Sequence, residues 1–471
     1  MDRGMIRRIM LAALLARVAV FILAAGGMFM LGEGRTQADL AVNLLRGNGF
    51  MLSGEMLHPP GEAEAPEFFR KTFEFYRDVD GYYGVLRPDR PTLFLVPGYA
   101  FFMAGVFALF GEYNYLAVRG IQLLLGLVTV WIGIRLARRF LSGGYLYAAG
   151  LFFALDPFQL YFEAVPATQG IFTPLLLMGI LLSLGAMDDG LTGSRRLRYA
   201  AAAGIAWAAA FYVRPVAIPL MVWVAVLMPL LPFIGRFTGA RRGSVTFREG
   251  SLSALLMLGM FGLAMMPWGL RNRTVTGKFR IMPVQGGVNI WEYNGRIFTD
   301  HFKNEARGAR LLYRDLRDEY MGRLKSPELA EFPSFRDEPE WVRDSVLYRR
   351  NVDFMLANPV LSLKLMFLRF VEFFKPFPLN EYDPLFTVAG ILGISWVLVF
   401  LWGGAWICAT RYGPEGFYLA TAVAGYCLMH LLTASGTPHR VSIDFPMAIL
   451  ALLGVRYSVE RMKAGRKIRG E

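Results

Sequence analysis

Long apolar runs separated by short polar segments dominate the chain. A bilayer core about 30 Å thick requires about 20 mostly apolar helical residues to cross it, because unpaired backbone amides are costly in hydrocarbon. We therefore predict an all-α polytopic membrane protein with about ten transmembrane helices. The runs lie at residues 9–31, 115–137, 144–158, 169–187, 198–213, 215–235, 251–270, 386–407, 416–434 and 440–457.

Two further apolar runs are ambiguous. The run 93–111 is broken by Pro97 and Gly98, and the run 358–376 carries four charged residues at helical spacing. If both runs cross the bilayer, the number of spans rises to about twelve. We expect both to form interfacial or re-entrant helices instead, because breaks and periodic charges suit the membrane surface better than its core.

Basic residues assign a side of the membrane to each loop. Cytoplasmic loops of membrane proteins carry an excess of lysine and arginine. If the run 93–111 does not cross, every basic cluster falls on the cytoplasmic side, together with both termini. We therefore predict a cytoplasmic N-terminus and C-terminus. The clusters are Arg3/Arg7/Arg8, Arg135/Arg138/Arg139, Arg195/Arg196/Arg198, Arg236/Arg241/Arg242/Arg248 and Arg461/Lys463/Arg466/Lys467/Arg469.

Two long hydrophilic regions then face the extracytoplasmic side. The first, about 32–114, is a long outer loop with a short amphipathic helix, and the second, 271–385, resembles a small cap. We divide the chain into a membrane core with the first outer loop (1–270), the outer loop and cap, and the C-terminal transmembrane helices with a basic tail (386–471).

Composition narrows the class of protein. The chain is 55% hydrophobic and 18% charged, with a mean hydropathy of +0.39, which argues against a soluble domain. The formal net charge of +13 reflects cytoplasmic loops rather than nucleic-acid binding. Two cysteines inside apolar runs and four scattered histidines predict neither a disulfide nor a metal site. No P-loop is present, which disfavours ATP-driven transport by this chain.

Polar and ionisable residues gather at the predicted outer ends of the helices. Ionisable groups near hydrocarbon usually mark functional sites, although each could also cap a helix or reach toward water. Guanidinium groups bind phosphate oxygens through paired hydrogen bonds, so four arginines on one face predict a site for a phosphate-containing lipid. The candidates are Glu33, Asp39, Arg90, Gln169, Arg214, Arg271, Asn272, His439 and Arg440.

Several strings, in this order, resemble the GT-C glycosyltransferases, and most of all their protein mannosyltransferase and aminoarabinose transferase branch. The strings are GNGF, PTLFLVPGYAFFMAGVFALFG, AVRGIQLLLG, the pair Arg214-Pro215, PWGLRN with VQGGVNIW, and HRVSIDFP. Members of that superfamily take a sugar from a polyprenyl phosphate or pyrophosphate and use an acidic residue of the first outer loop as base. By position this acid falls on Glu33, with Asp39 as the fallback. A second family acid falls on Gln169, so that carboxylate is missing here.

The resemblance implies a specific chemistry. It implies inverting transfer of a sugar from a polyprenyl-phosphate donor to a hydroxyl or phosphate of a lipid, glycan or protein, at the outer face of a bacterial inner membrane. The arginines, with Asn272, His439 and Gln169, would bind the donor, and neither a cofactor nor a metal would be required. Two alternatives remain open: a transporter or flippase for a lipid-linked saccharide, and a catalytically degenerate subunit. The apolar runs are nearly uncharged away from their ends, which favours an enzyme over a flippase.

Overall fold

A computed structural model defines the fold of most of the chain. It describes residues 3–23, 32–53, 90–188, 190–191, 193–237, 245–287, 289–290, 339–376, 384–433 and 435–469, with the side chains of 32–33, 236–237, 384–387 and 465–469 left undescribed. Most of the first outer loop (54–89) and much of the predicted cap (291–338) therefore lie outside the described residues.

Nearly all of the described residues are helical, and they contain no strand beyond one isolated bridge between Met51 and Pro91. The predicted all-α class is therefore confirmed. The helices are α1 (Arg3–Leu23), α2 (Gly32–Leu45), α3 (Gly98–Phe110), α4 (Tyr115–Ala137), α5 (Gly143–Leu155), α6 (Pro157–Ala164), α7 (Gln169–Met187), α8 (Gly193–Val213), α9 (Ala217–Phe237), α10 (Phe247–Thr276), α11 (Glu340–Ala357), α12 (Pro359–Phe374), α13 (Pro384–Arg411), α14 (Gly413–Leu432), α15 (Thr437–Arg440) and α16 (Asp444–Arg469), with a 3-10 turn at Val441–Ile443.

Every predicted span contains a helix, and α4 and α7 have the predicted bounds. Within the described residues, six helices are long and apolar enough to cross a membrane: α4, α7, α9, α10, α13 and the segment Thr437–Ala464. The α11–α12 pair makes a seventh if it is one broken span. The figure of about ten spans stays a prediction, because α1, α5, α8 and α14 are too short or too polar to qualify alone.

The two ambiguous runs form helices that agree with an interfacial or re-entrant position. Helix α3 has 13 residues, which at about 1.5 Å per residue is shorter than the bilayer core. Helix α12 follows α11 at a bend of 110°. It buries Arg369 and Glu372 and exposes Val360, Leu363 and Phe367. Arg369 and Glu372 therefore face the protein, whereas Lys364 is exposed beside the apolar residues Val360, Leu363 and Phe367.

Contacts sort the helix ends into two groups that match the predicted topology. At one end Arg139 pairs with Glu415 at 2.6 Å, and Arg196 pairs with Glu249 at 3.3 Å. All four residues follow or precede spans on the predicted cytoplasmic side, and we call this the basic end. The predicted outer residues contact one another at the opposite end, which we call the loop end.

Helices α13 and α16 pack closely through glycine. A Cβ atom at Gly404 would collide with the carbonyl of Leu450, and Gly454 lies against Phe400 and Gly404. Small residues allow two membrane helices to bring their backbones together. This contact fixes how far α16 extends along α13.

A buried ion pair joins three helices inside the bundle. Arg17 of α1 and Glu163 of α6 pair through two contacts, Nη2 to Oε1 at 3.0 Å and Nε to Oε2 at 2.9 Å. Gln159 donates to the same carboxylate at 2.8 Å, and Arg17 also donates to the carbonyl of Ala154. The two charged side chains are 2% and 0% exposed. Gly126 of α4 lies against both, and a Cβ there would collide with them.

We predict that Arg17→Met lowers the free energy of unfolding by about 3–5 kcal/mol, because it leaves Glu163 charged, buried and without its counter-ion. The double variant Arg17→Met/Glu163→Gln should recover most of this loss, since no unpaired charge remains. Thermal or denaturant unfolding in detergent measures both. Arg456→Met, which breaks an exposed pair with Glu460, is the control and should cost about 0–1 kcal/mol. A single Arg17 variant no less stable than this control would contradict the prediction.

Candidate active site

Three of the predicted site residues meet at one backbone carbonyl. Gln169, which begins α7, donates from Nε2 to the carbonyl of Pro438 at 2.9 Å. Arg214, which follows α8, donates from Nη1 to the same oxygen at 3.1 Å, and its Nη2 lies 2.9 Å from Nδ1 of His439. We call Gln169, Arg214, Pro438 and His439 the Pro438 cluster. Residues from three distant parts of the sequence are thus brought together at the loop end.

The Pro438 cluster presents a cation and one amide oxygen that has no hydrogen-bond partner in the described structure. Arg214 is partly exposed and lies over the ring of Phe172, 5.7 Å from its centroid. Because Nδ1 of His439 accepts from the guanidinium, the neutral ring carries its proton on Nε2. Gln169 is 2% exposed, and its Oε1 has no hydrogen-bond partner in the described structure. The cluster can therefore bind an anion at its arginine and a donor group at its amide oxygen.

Tyr426 and His430 hold the backbone and the ring of His439 in place. The hydroxyl of Tyr426 donates to the carbonyl of His439 at 2.9 Å, and the rings of His430 and His439 lie 4.7 Å apart. This packing holds His439 against Arg214.

The sequence led us to expect that Arg440 binds the donor, but the structure buries its side chain inside the protein. It is 0% exposed. Its Nε donates to Asp444 at 3.1 Å, and its Nη1 donates to the carbonyls of Phe373 and Lys375. These contacts join α12, α15 and α16, so Arg440 positions the neighbouring His439 through the backbone.

Arg271 and Asn272 lie in a second cluster at the loop end. Arg271 donates to the carbonyls of Thr92 at 2.9 Å and Phe50 at 3.0 Å. Asn272 donates to the carbonyl of Arg280 at 2.8 Å. Both residues bind the backbone of the chain itself, and the structure does not bring them into the Pro438 cluster. They hold the two ends of the first outer loop and the turn after α10.

Two carboxylates of α11 complete this second cluster. Glu340 accepts from the hydroxyl of Thr92 at 2.9 Å and from the amide of Leu93 at 2.8 Å. Asp344 accepts from the amide of Gly287 at 2.7 Å. Arg90 lies two residues before Thr92 and is exposed. Glu340 and Asp344 therefore join the outer loops to each other. Arg90, the first described residue after Ser53, lies next to this junction.

Glu33 is the second residue of α2, and its side chain lies outside the described part of the structure. The backbone of the next residue, Gly34, packs so closely that a Cβ there would collide with the carbonyl of Pro166. Pro166 lies in the connection between α6 and α7, three residues before Gln169. The start of α2 therefore lies against the segment that leads into the Pro438 cluster.

Asp39, the fallback for the base, is engaged within the first outer loop. Its two oxygens accept from the amide of Ser53 at 2.7 Å and from the hydroxyl of Ser53 at 2.5 Å. The side chain is buried. Asp39 thus fixes the chain where it enters the outer loop.

At the exposed end of α2, Arg46 binds Glu112 at 2.7 Å and holds the pKa of that carboxyl below its usual range.

The sequence analysis missed two residues of α4 that hold the connection between α6 and α7. Gln122 donates to the carbonyls of Glu163 at 3.2 Å and Val165 at 2.8 Å, and accepts from the hydroxyl of Tyr99. Arg119 donates to the carbonyl of Ala164 at 2.7 Å. These side chains satisfy carbonyls that the end of α6 leaves without helical partners. The signal in the sequence was the presence of two polar residues, Arg119 and Gln122, one turn apart in an otherwise apolar span.

The described residues contain no group of three or more histidine, cysteine, aspartate or glutamate residues placed to hold a metal. Gln169 stands where the family has an acid, and its amide nitrogen donates to Pro438 beside the Arg214 guanidinium. A neutral amide next to a fixed positive charge is a poor ligand for Mg²⁺ or Mn²⁺.

Comparison with known proteins gives one family match and several structural matches. The family described as dolichyl-phosphate-mannose-protein mannosyltransferase matches residues 89–266, which is less than half of the chain. No protein with a curated description matches the sequence.

The structural matches cover nearly the whole chain. The archaeal oligosaccharyltransferase AglB from Archaeoglobus fulgidus, in complex with an inhibitory peptide and a dolichol-phosphate, matches with a TM-score of 0.55 at 15% identity, over 99% of this chain and 51% of that chain. Its apo form matches with a TM-score of 0.55 at 14% identity, over 99% and 52%. ArnT from Cupriavidus metallidurans bound to undecaprenyl phosphate has a TM-score of 0.39 at 12% identity, over 97% and 79%.

The resemblance of the chain to the GT-C glycosyltransferases is therefore confirmed. At these identities the structural matches establish the fold alone. The chain spans about half the length of the AglB chains it matches.

We predict that Arg271→Ala loosens the ends of the first outer loop, because it removes two hydrogen bonds from a charged donor to the carbonyls of Thr92 and Phe50. Hydrogen bonds to charged groups contribute about 1.5–3 kcal/mol each, so amide exchange at Thr92 should accelerate about 10- to 100-fold. Hydrogen-deuterium exchange with mass spectrometry measures this. Arg273→Ala, on the same helix and without these contacts, is the control. Unchanged exchange at Thr92 would show that Arg271 does not hold the loop.

Proposed function

We propose that the chain is a glycosyltransferase that moves a sugar from a polyprenyl-phosphate-linked donor to a hydroxyl or phosphate acceptor of a lipid, glycan or protein. The observation that carries this proposal is the Pro438 cluster, where Arg214 is held between a carbonyl and His439, and the start of α2 packs against Pro166, three residues before Gln169 of that cluster. The GT-C fold supports it, and one matched AglB structure contains a dolichol-phosphate.

The proposed reaction is a single displacement at the anomeric carbon. The acceptor oxygen attacks that carbon, the bond from carbon to the phosphate oxygen breaks, and the configuration inverts. Glu33 takes the proton of the acceptor hydroxyl, and the electron pair leaves with the phosphate. Because the leaving group is already an anion, the step needs a base and a cation rather than a strong acid.

Arg214 and the Nε2 proton of His439 stabilise the departing phosphate in this proposal, since charged donors form the stronger hydrogen bonds. Gln169 offers its free amide oxygen to a hydroxyl of the sugar. Arg90, exposed at the edge of the outer loop, adds positive charge near the donor. Arg271, Asn272 and Arg440 act through the backbone they hold.

The site faces the extracytoplasmic side of a bacterial inner membrane in this proposal. The basic end, with Arg139 and Arg196, lies opposite the Pro438 cluster, and basic loops favour the cytoplasm. Both termini are then cytoplasmic. The partners are the bilayer, the lipid-linked donor and the acceptor.

Two alternatives bear on the same site. A flippase requires ionisable groups along a path through the bilayer, but the interior pair of Arg17 and Glu163 is closed on itself and against Gly126. This favours transfer over transport. A degenerate GT-C subunit is the second candidate, because Gln169 replaces a family acid.

The first test is the transfer reaction itself. Purified protein in lipid nanodiscs is incubated with radiolabelled polyprenyl-phosphate sugars and a membrane extract of acceptors, and label transfer is followed. Wild-type protein should transfer label, and Glu33→Gln should lower turnover about 10²- to 10⁴-fold, because glutamine cannot take the proton.

Glu112→Gln is the matched control, since it changes an exposed carboxylate at the same end of the bundle. It should retain wild-type turnover. Undiminished turnover in Glu33→Gln together with loss in Asp39→Asn would assign the base to Asp39. No transfer by the wild type with any donor would remove the transferase proposal and leave the degenerate subunit.

We further predict that turnover does not require a divalent cation, because a neutral amide at Gln169 beside Arg214 replaces the second acid. Protein washed with EDTA should transfer sugar at the rate of untreated protein, and added Mg²⁺ or Mn²⁺ should not raise it. Restoration of a lost activity by Mn²⁺ would show that other residues supply a metal site.

A further inference from the structure

One arginine inside α4 is buried without a counter-ion in the described structure. Arg119 lies one turn from the start of the helix at the loop end and is 4% exposed. Its Nε donates to the carbonyl of Ala164, and its guanidinium lies 5.9 Å from the centroid of the Phe21 ring. Its Nη2 has no hydrogen-bond partner, and no described carboxylate acts on its charge.

Three other buried arginines differ in this respect, because Arg17 pairs with Glu163, Arg196 pairs with Glu249, and Arg440 pairs with Asp444. A buried charge is strongly unfavourable unless an opposite charge and hydrogen bonds compensate it. A single carbonyl and an aromatic ring lessen this cost for Arg119 but do not neutralise the charge. Among the described residues, no anion compensates the charge of Arg119.

The position of Arg119 connects it to the candidate site. Ala164, which it binds, lies two residues before Pro166, where the start of α2 packs. Five residues after Ala164, Gln169 joins the Pro438 cluster with Arg214. Arg119 therefore holds the start of the connection that leads into the Pro438 cluster. Its guanidinium offers several N–H donors in a fixed plane, which suit the oxygens of a phosphate group.

We propose that Arg119 binds the phosphate group of a polyprenyl-phosphate lipid as the second arginine of the site, in addition to Arg214. The identity of the ligand rests on the proposed function. The compensating anion is then supplied by the substrate, so the free Nη2 is the donor that the ligand occupies.

Direct binding tests this proposal without turnover. Full-length protein in nanodiscs is titrated with undecaprenyl phosphate, and the bound lipid is quantified by native mass spectrometry. Arg119→Gln should weaken binding about 10- to 100-fold, as expected for the loss of a charged hydrogen bond. The matched control is Arg135→Gln, an exposed arginine on the same helix over Trp131, which should bind like the wild type.

Undecaprenol, which has the same chain without phosphate, separates recognition of phosphate from damage to the lipid-binding surface. It should bind the wild type and Arg119→Gln equally. An equal loss of both lipids would overturn the assignment to phosphate. Inorganic phosphate is titrated in parallel, and an effect of Arg119→Gln on inorganic phosphate alone would overturn the assignment to a lipid.

Wild-type affinity for undecaprenyl phosphate in folded Arg119→Gln would overturn the proposal and would mean that a carboxylate of the chain neutralises Arg119. If the glutamine variant does not fold, Arg119→Met replaces it, since methionine suits the apolar span. The failure of the proposed function is separate. Protein that binds lipid phosphate through Arg119 but transfers no sugar would retain this inference and lose the transferase.

Discussion

Polar groups that the fold buries must find partners inside the protein, and the break between α6 and α7 shows how this chain meets that constraint. A buried chain that stops being helical leaves carbonyls without partners. Gln122 and Arg119 of α4 supply the missing donors, to Val165 and Ala164. The ion pair of Arg17 and Glu163 secures the same segment from α1. Because this non-helical connection is fixed, Gly34 can pack against Pro166 and Gln169 can reach Pro438.

The loop end is therefore built from two differently organised parts. Around Pro438, side chains converge on one backbone carbonyl and leave a guanidinium face and an amide oxygen available. Around Thr92, the side chains of Arg271 and Glu340 use their hydrogen bonds on the outer loops. The first part is suited to a ligand, and the second keeps the loops in place above it. Arginines with similar sequence surroundings thus have different tasks, and their contacts distinguish them.

Much of the helical pattern could be read from the sequence, because long apolar runs with clear ends specify spans such as α4 and α7. The convergence of Gln169, Arg214 and His439 followed from placing each at the same membrane face. The backbone carbonyls that Arg271 and Arg440 bind could not be predicted, since distant segments supply them. Arg17 and Arg119 were overlooked because a single charge scarcely alters the hydropathy of an apolar run.

The close contact between Gly404 and the Leu450 carbonyl has a consequence far from where it lies. The contact limits how far α16 can move along its own axis. Helix α15, which contains Pro438, is joined to the N-terminus of α16 through the turn at Val441–Ile443. A displacement of α16 by one helical turn, about 5.4 Å, would carry the carbonyl oxygen of Pro438 out of reach of both Gln169 and Arg214. A bulkier residue at Gly404 would thus disrupt the anion-binding geometry at the loop end without touching any residue that forms it.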